Sequence, residues 1–581
     1  MPSNPERPEH PASGTAYTEV EGLSFGQRIW KYKLHYFIVF PPLALLFALQ
    51  VWPLIMGVLI ALKDYNLFKG IAGSEWVGLG NFSALFDRPE FIRLLGNTVS
   101  INLSHMLLTG IGALVLALAL AAVRPRWLRG ALETLLLLPF FVPLTVVAAL
   151  MVYVFSPSQA PFFAVETPLL LQADAFRSAI VLLRTALVWG VPVALALTAI
   201  GIRHAAAEAQ PQLPGGYLRL TLLPALRAVA AFMLIQLTLL LAEPLDLMQV
   251  LVNPMVYETA DTLGLYAFRT GIITAEFSIG AAAQVLQSVV QLVLVALVYL
   301  LLRGLLRRDL VRPRADAGAE AIRGRGGAAG TTIGSLIALL PAALVLFGLY
   351  VLFIHPWLAG IDTGPAAQSE LSGLLGGAML RYGLLYALAA VLFMALTALL
   401  AYPLTARRLP GRALYVCGLL LALGLGTHPL GEYLMLRELT GLRPAALVMT
   451  GLFNLAAVFV LAGVFNRRCD ERKRAHEASG RGELHAFFTL FLPQTWRTLL
   501  ALGALHFVTL WSGLMRPLTF LPDPEQAPPM LLLYQSIHGQ QESIWPMLQA
   551  CIWVSLPPLV LFLLLRRWIV SETLLSQWRR F

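Results

Sequence analysis

The sequence predicts an all-α membrane protein that crosses the bilayer many times. Hydrophobic residues make up 58% of the 581 residues and charged residues only 13%, against roughly 25% charged in soluble proteins. The mean hydropathy is +0.73. Apolar stretches long enough to span a membrane as helices, about 20 residues each, recur along the chain. This pattern argues against a soluble enzyme, a nucleic-acid-binding protein and a disordered scaffold.

The apolar stretches predict about twelve transmembrane helices in two sets of six. The first set lies near residues 36–61, 97–123, 132–155, 178–200, 225–242 and 279–302. The second lies near 333–355, 380–403, 413–431, 444–465, 497–515 and 547–567. A segment rich in Gly, Ala and Arg separates the sets and is typical of a linker. We therefore predict four regions: a flexible cytoplasmic tail (1–27), a first half (28–306), a cytoplasmic linker (307–331) and a second half (332–581).

The basic residues predict the orientation in the membrane. They cluster in seven places beside the predicted spans: Arg28/Lys31/Lys33, Arg124/Arg126/Arg129, Arg203, Arg303/Arg307/Arg308, Arg407/Arg408/Arg412, Arg467–Arg474 and Arg566–Arg580. With twelve spans, all seven clusters fall on one side, and Lys and Arg mark the cytoplasmic side. We predict a multi-pass protein of the cytoplasmic (inner) membrane with both termini in the cytoplasm. The net charge of +10 then reflects topology and not a nucleic-acid partner.

Several motifs occur in a fixed order in each half. The first half contains K-D-Y-N from Lys63, W-V-G-L-G-N-F from Trp76, L-P-F-F-V-P from Leu138 and T-L-L-P-A-L-R from Thr221. This series resembles the membrane subunit of carbohydrate ABC importers, the maltose-permease-like superfamily, in the branch that handles oligosaccharides and polysaccharide fragments. The second half resembles the partner permease of these importers, through A-Y-P-L-T-A-R-R (401–408), H-P-L-G-E-Y (428–433) and W-S-G-L-M-R-P-L (511–518).

The resemblance implies two pseudo-symmetric six-helix permease halves, usually separate subunits, fused here in one chain. It implies import of an oligosaccharide-like carbohydrate. Two ABC ATPase subunits and an external sugar-binding protein are the implied partners, beside the lipid bilayer. The sequence contains no G-x-x-x-x-G-K-S/T phosphate loop. We therefore expect no enzyme activity, no metal and no cofactor in this chain, with ATP bound by the partner subunits.

The resemblance also implies that the ATPases dock on two cytoplasmic loops, 201–224 and 467–493. The family pattern there is E-A-A, then a Gly, then L-P, and neither half keeps the Glu in its usual place. A Glu-Ala pair instead begins sixteen residues before the proline in each half (224 − 208 and 493 − 477). Either both coupling helices have slid by about one turn, or two common residues coincide. The candidate coupling residues are Ala205, Glu208, Pro224, Glu477, Gly480 and Pro493.

Polar side chains inside the predicted spans are candidates for a substrate path, because charges at membrane depth are costly and usually face a cavity or the bundle interior. Glu243 and Asp246 are three residues apart and are predicted to share a helical face beside Pro244. The substrate-path candidates are Arg184, Trp189, Glu243, Asp246, Gln249, Asn253, Tyr433 and Trp511. For each of them, a structural contact between helices is the competing interpretation.

A second hypothesis comes from a different functional class. The departures in both coupling loops also fit a permease-derived membrane scaffold or accessory subunit that has lost its ATPase and no longer transports. The equal spacing of Glu208 and Glu477 argues against this alternative.

Overall fold

The computed structural model describes residues 24–155, 169–209, 216–306, 327–359, 365–406, 409–478, 483–521, 523–539 and 544–580. Most of the predicted tail (1–23), most of the predicted linker (307–326) and Gly480 lie outside these ranges, as does the side chain of Glu477. The described parts are almost entirely helical, apart from one two-residue antiparallel strand pair, β1 (Lys63–Asp64) with β2 (Glu75–Trp76).

The described residues of the first half form fifteen α-helices: α1 Phe25–Lys31, α2 Lys33–Leu46, α3 Trp52–Ala61, α4 Gly70–Gly73, α5 Gly80–Phe86, α6 Phe91–Ala122, α7 Arg126–Leu137, α8 Leu144–Val154, α9 Ala173–Val188, α10 Gly190–Ala209, α11 Leu223–Leu237, α12 Leu245–Leu251, α13 Tyr257–Ala260, α14 Leu263–Phe268 and α15 Phe277–Leu306. Short 3₁₀ and π-helical segments connect some of them: Phe47–Val51, Leu138–Phe141, Leu169–Leu171, Leu218–Leu222, Pro254–Val256 and Arg269–Ile273.

The second half contributes thirteen described α-helices: α16 Ala328–Phe353, α17 His355–Ala359, α18 Pro365–Ala401, α19 Arg412–Leu425, α20 Pro429–Thr440, α21 Ala445–Thr450, α22 Leu455–Ala478, α23 Glu483–Ala486, α24 Leu492–Ser512, α25 Met515–Phe520, α26 Pro529–His538, α27 Trp545–Leu565 and α28 Ser571–Leu574. Its 3₁₀ and π-helical segments are Tyr402–Thr405, Phe487–Phe491, Pro524–Gln526 and Leu575–Arg580.

The length and composition of the described helices fit a protein that crosses a membrane repeatedly. Eight of them are long and apolar enough to span it, and ten spans result if two bent pairs each count as one. Large apolar side chains such as Leu340 (79% exposed), Phe37 (74%) and Leu564 (71%) lie on the outer surface, as lipid contact requires. The prediction of an all-α polytopic membrane protein is confirmed, and the count of twelve spans stays a prediction.

Two of the predicted spans, 132–155 and 413–431, are sharply bent. Residues Arg126–Phe141 and Leu144–Val154 meet at 93°, and Arg412–Leu425 and Pro429–Thr440 meet at 100°. In the first pair Val142 has an extended backbone before Pro143, the conformation that a following proline favours. In the second pair Gly426 has φ +79°, a backbone region open to glycine, and Pro429 opens the next helix.

A π-helical turn precedes a proline at corresponding places in the two halves. Leu218–Leu222 ends directly before Leu223-Pro224, and Phe487–Phe491 ends directly before Leu492-Pro493. Proline lacks an N–H and crowds the preceding turn, and a wider π turn accommodates its ring. The two Glu-Ala pairs lie before these turns in the chain, on α10 and α22.

The first long apolar helix of each half, α2 and α16, packs against the other half. Residues of α2 share a core with α18 and α22, and the ring of His35 stacks on Tyr402 with centroids 5.0 Å apart. Conversely, α16 packs on α6, where Gly334 lies against the carbonyl of Ala119. Gly431 of α20 contacts the backbone of Pro53 in α3. This exchange buries both halves in common cores, and hydropathy along the sequence does not reveal it.

Candidate functional site

A cavity of about 460 Å³ lies between the two halves. Its volume falls within the range of small-molecule sites, about 300 to 1,000 Å³. The first half supplies Gln50, residues 242–246 and the inner faces of α14 and α15, and the second half supplies the bend between α19 and α20 with parts of α22, α24 and α25. Because both halves line it, relative movement of the halves changes its shape.

A polar stripe on α15 faces this cavity. Gln284, Gln287, Ser288 and Gln291 all line it, and their spacing of three, four and seven residues places them on one helical face. The Nε2 of Gln287 donates to the carbonyl of Leu241 at 2.5 Å. The hydroxyl of Ser288 lies 3.1 Å from Nε2 of His428 in the second half. This stripe was not predicted from the sequence, where polar and aromatic residues were considered one by one. The available signal was a helical period of amides in an apolar segment.

Glu243 and Asp246 both line the cavity but do not share a helical face, so that prediction is wrong. The preceding helix α11 ends at Leu237, and α12 begins at Leu245, after Pro244. Glu243 therefore lies in the connection between the two helices. Its Oε1 accepts hydrogen bonds from the hydroxyl of Thr262 at 2.5 Å and from the backbone N–H of Gly264 at 3.0 Å.

Asp246 joins the two halves. Its Oδ1 accepts hydrogen bonds from the backbone N–H groups of Leu514 at 3.0 Å and Met515 at 2.8 Å. These amides lie at the start of α25, where a helix has N–H groups without partners inside the helix. A carboxylate also suits the positive end of a helix. Asp246 thus fixes the short helix α25 of the second half to the first half.

The second half adds an ion pair and several amides to the lining. Arg516 Nε lies 3.8 Å from Glu432 Oε2, with the Glu432 side chain buried and the Arg516 side chain about one-third exposed. Asn454 donates from Nδ2 to the carbonyl of Ser576 at 2.9 Å, and Gln577 accepts from the hydroxyl of Thr509 at 2.7 Å. Glu432 and Arg516 were not among the predicted substrate-path residues.

The other predicted path residues lie away from the described lining. Arg184 donates from Nη1 to Asn102 Oδ1 at 2.7 Å, beside a separate space of about 20 Å³. Gln249 donates to the hydroxyl of Tyr534 at 3.3 Å, a contact between the halves. Asn253 accepts from the backbone of Met255 at 3.1 Å, as a cap of the short turn that follows it.

Three aromatic candidates pack in the protein core. The indole of Trp189 lies against Gly112. The indole N–H of Trp511 donates to the carbonyl of Val554 at 2.9 Å, and its ring stacks on Phe507. Tyr433 packs at the edge of two hydrophobic clusters. These contacts match the competing structural interpretation of each residue.

Three of the predicted coupling residues lie on the helices that precede the two π turns. Ala205 and the exposed Glu208 lie in α10, and Glu477 lies in α22. The buried Pro224 and the exposed Pro493 each open the helix after a π turn. His204 Nε2 lies 3.3 Å from the hydroxyl of Thr221 and ties α10 to the first π turn.

The chain is similar to several transport proteins. It is 27% identical over 290 residues to Protein LplB of Bacillus subtilis (strain 168), covering 48% of this chain and 91% of that protein. It is 29% identical over 256 residues to the polygalacturonan/rhamnogalacturonan transport system permease protein YteP of the same strain, covering 42% and 79%. It is 35% identical over 126 residues to the sn-glycerol-3-phosphate transport system permease protein UgpA of Yersinia enterocolitica, covering 21% and 41%.

Among solved structures, the chain resembles a bacterial alginate ABC transporter in complex with an alginate pentasaccharide-bound periplasmic protein. The TM-score is 0.43 and the identity 24%, over 49% of this chain and 99% of that chain. No family model matches the chain. The alignments with LplB and YteP use most of each relative and less than half of this chain, which fits a chain that contains two permease-length halves.

Proposed function

We propose that the chain is a two-half transmembrane unit that imports an oligosaccharide, because its sequence relatives are permease subunits of sugar ABC transporters. The observation that supports this most directly is the cavity of about 460 Å³ between the halves, lined by amides, hydroxyls and carboxylates. Such groups form hydrogen bonds with sugar hydroxyls. LplB and YteP each match less than half of this chain, which supports two permease-length halves in one chain.

The proposed mechanism is alternating access to this cavity. Two ATPase subunits dock on loops 201–224 and 467–493 and move the halves relative to each other, and an external sugar-binding protein delivers the carbohydrate. Both termini lie in the cytoplasm, and ATP is bound only by the partner subunits. The two π turns before Leu-Pro pairs, at corresponding places in the two halves, support corresponding docking surfaces.

The test is affinity purification of the detergent-solubilised chain from its native membrane, with identification of co-purifying proteins. We expect a P-loop ATPase at about two copies per chain. The double variant Glu208→Lys/Glu477→Lys should lose the ATPase while the chain still inserts into the membrane and elutes as a single peak in size-exclusion chromatography.

A matched control carries the same charge changes elsewhere, one in each half. Glu258→Lys/Glu525→Lys alters exposed glutamates in loops that we place outside the cell, and it should keep the ATPase. Absence of any ATPase, even after crosslinking, would contradict the proposal and would favour the non-transporting scaffold.

A further inference from the structure

Two arginine–asparagine pairs of the same design connect α9 to α6. Arg177 donates from Nη2 to Asn97 Oδ1 at 2.6 Å, and Arg184 donates from Nη1 to Asn102 Oδ1 at 2.7 Å. Asn97, Asn102 and Arg184 are buried, with 3%, 7% and 4% of their surface exposed. Because a guanidinium only donates, each arginine fixes its asparagine with the amide oxygen toward α9. The Nδ2 group of each asparagine then donates elsewhere.

Arg184 and Asn102 form the Asn102 clamp, which holds the broken end of α11. Asn102 donates from Nδ2 to the carbonyls of Leu240 at 2.9 Å and Ala242 at 3.2 Å. These carbonyls follow the last residue of α11, where backbone groups have no partner within the helix. At membrane depth such groups need partners in the protein. The Asn102 clamp therefore fixes the connection that leads directly to Glu243.

Arg177 and Asn97 form the Asn97 clamp, which holds the stretch before α14. Asn97 donates from Nδ2 to the carbonyls of Glu258 and Asp261, both at 3.1 Å. Arg177 Nε donates to the carbonyl of Thr259 at 3.0 Å. The helix α14 begins two residues after this stretch, and one face of α14 lines the cavity. The two clamps thus bind both ends of one segment, residues 238–264, which we call the wall segment.

We propose that Arg177, Arg184, Asn97 and Asn102 are positioning residues that make the wall segment a fixed side of the cavity. The wall segment supplies two carboxylates to the lining, whereas the four clamp residues lie outside the described lining. Held by both clamps, the wall segment moves with α6 and α9 as one body and keeps its shape when the halves move. The inference rests on the proposed function in taking the cavity as the path of the sugar.

Hydrogen–deuterium exchange of the purified chain in detergent, measured by mass spectrometry, tests this directly. In the wild type, residues 238–246 and 256–264 should exchange much more slowly than an unstructured peptide of the same sequence. Asn102→Leu/Arg184→Met removes one clamp and leaves no unpaired guanidinium behind. It should speed exchange in 238–246 about tenfold, because two hydrogen bonds no longer oppose local opening. Exchange in 256–264 should stay near that of the wild type.

Asn97→Leu/Arg177→Met is the matched variant, with the same pair of changes at the other clamp. It should speed exchange in 256–264 and leave 238–246 near the wild type. A general loss of stability would instead speed exchange in both segments and throughout the chain. The crossed pattern therefore separates positioning of the wall segment from support of the whole fold.

The contribution of the guanidinium is tested by Arg184→Met alone. Without its donor, the amide of Asn102 is free to rotate away from the two carbonyls. Exchange in 238–246 should rise severalfold, by less than in the double variant. An unchanged rate would show that Asn102 acts alone, which would contradict the role proposed for the arginine.

Thiol labelling with N-ethylmaleimide provides a second measurement, made from inside the cavity. Ala242→Cys and Thr427→Cys place a thiol in the lining on each half. The background is Cys417→Ser, because Cys417 is exposed and the two other cysteines are buried. Loss of the Asn102 clamp should speed labelling of Ala242→Cys severalfold and leave the rate at Thr427→Cys unchanged.

Rapid exchange of the wall segment in the wild type would overturn the proposal. So would the same exchange pattern in both double variants, or equal changes in labelling on the two sides of the cavity. None of these measurements requires a sugar or an ATPase. Failure of this inference is therefore separate from failure of the proposed function, which the co-purification of an ATPase tests.

Discussion

The two halves build corresponding elements with different residues. In the first half the bend after α7 is made by an extended Val142 before Pro143, whereas in the second half the bend after α19 uses the left-handed Gly426 and Pro429. The first half supplies an amide stripe to the cavity, and the second half supplies an ion pair. The two halves therefore share the positions of their bends but place different side chains in the cavity. A residue in one half does not predict that its counterpart in the other half makes the same contact with a substrate.

The largest expected effect comes from filling the close approaches between the exchanged helices. Gly431 lies against the backbone of Pro53, and Gly334 lies against the carbonyl of Ala119. Gly431→Val and Gly334→Val should each destabilise the protein by about 3 kcal/mol, the upper part of the range for overpacking. The measurement is the melting temperature in detergent, followed by fluorescence-detected size-exclusion chromatography.

Gly418→Val is the matched control for both glycine variants. A Cβ added at Gly418 meets no heavy atom within 4 Å, so its melting temperature should stay close to that of the wild type. If only one of Gly431→Val and Gly334→Val lowers the melting temperature, the two contacts between the halves contribute unequally to stability.

The next effect concerns the link between the halves at Asp246. Asp246→Ala leaves the backbone N–H groups of Leu514 and Met515 without this acceptor, at a cost of about 2 kcal/mol. Asp246→Asn should recover most of the loss, because it keeps a side-chain oxygen. The assay is the thermal stability of both variants in detergent. Equal stability of the alanine variant and the wild type would show that Asp246 does not hold the halves together.

A smaller effect on stability is expected from the amide stripe. Gln287→Ala removes the hydrogen bond to the carbonyl of Leu241, worth about 0.6 kcal/mol by the average for polar contacts in membrane helices. Gln291→Ala should leave the melting temperature unchanged. Both variants should weaken transport, so a stability loss without a transport loss at Gln287 would assign it a structural role only.

The smallest effect should come from ion pairs at the edges of the molecule. Arg88 and Glu276 lie 2.5 Å apart with side chains 31% and 48% exposed. Arg566 and Glu133, which join the halves, lie 3.3 Å apart and are 25% and 14% exposed. A double-mutant cycle with glutamine should give about 0.2 kcal/mol for the first pair and about 0.5 kcal/mol for the less exposed second pair. The reverse order would contradict this comparison.

Much of the helical architecture follows from the sequence, because apolar length alone marks a membrane helix. The bends do not, because Pro143 and Pro429 are also compatible with kinked but continuous spans. The packing of α2 and α16 on the opposite halves depends on contacts between distant residues, such as Gly334 with Ala119, that no local pattern encodes.

The site was only partly predictable. Glu243 and Asp246 were found because carboxylates inside apolar segments stand out. The prediction that they share a helical face was wrong because α11 ends at Leu237, before Glu243. The stripe from Gln284 to Gln291 was missed because uncharged amides resemble ordinary contacts between helices. The sequence signal that could have identified the stripe was the helical spacing of its polar residues.

The central claim is that the cavity between the halves is the path of the sugar. The direct measurement is ATP-dependent uptake into proteoliposomes that contain the chain and its co-purified ATPases, with a radiolabelled panel of neutral, amino-sugar and uronate trisaccharides. The Gln287→Leu/Gln291→Leu variant is compared with Val289→Leu/Val293→Leu, which alters exposed positions of α15. We predict that the glutamine variant loses most uptake while retaining its ATPases, and that the valine variant transports normally. Uptake that is unaffected by the glutamine changes, or absent for every sugar in the wild type, would contradict the claim.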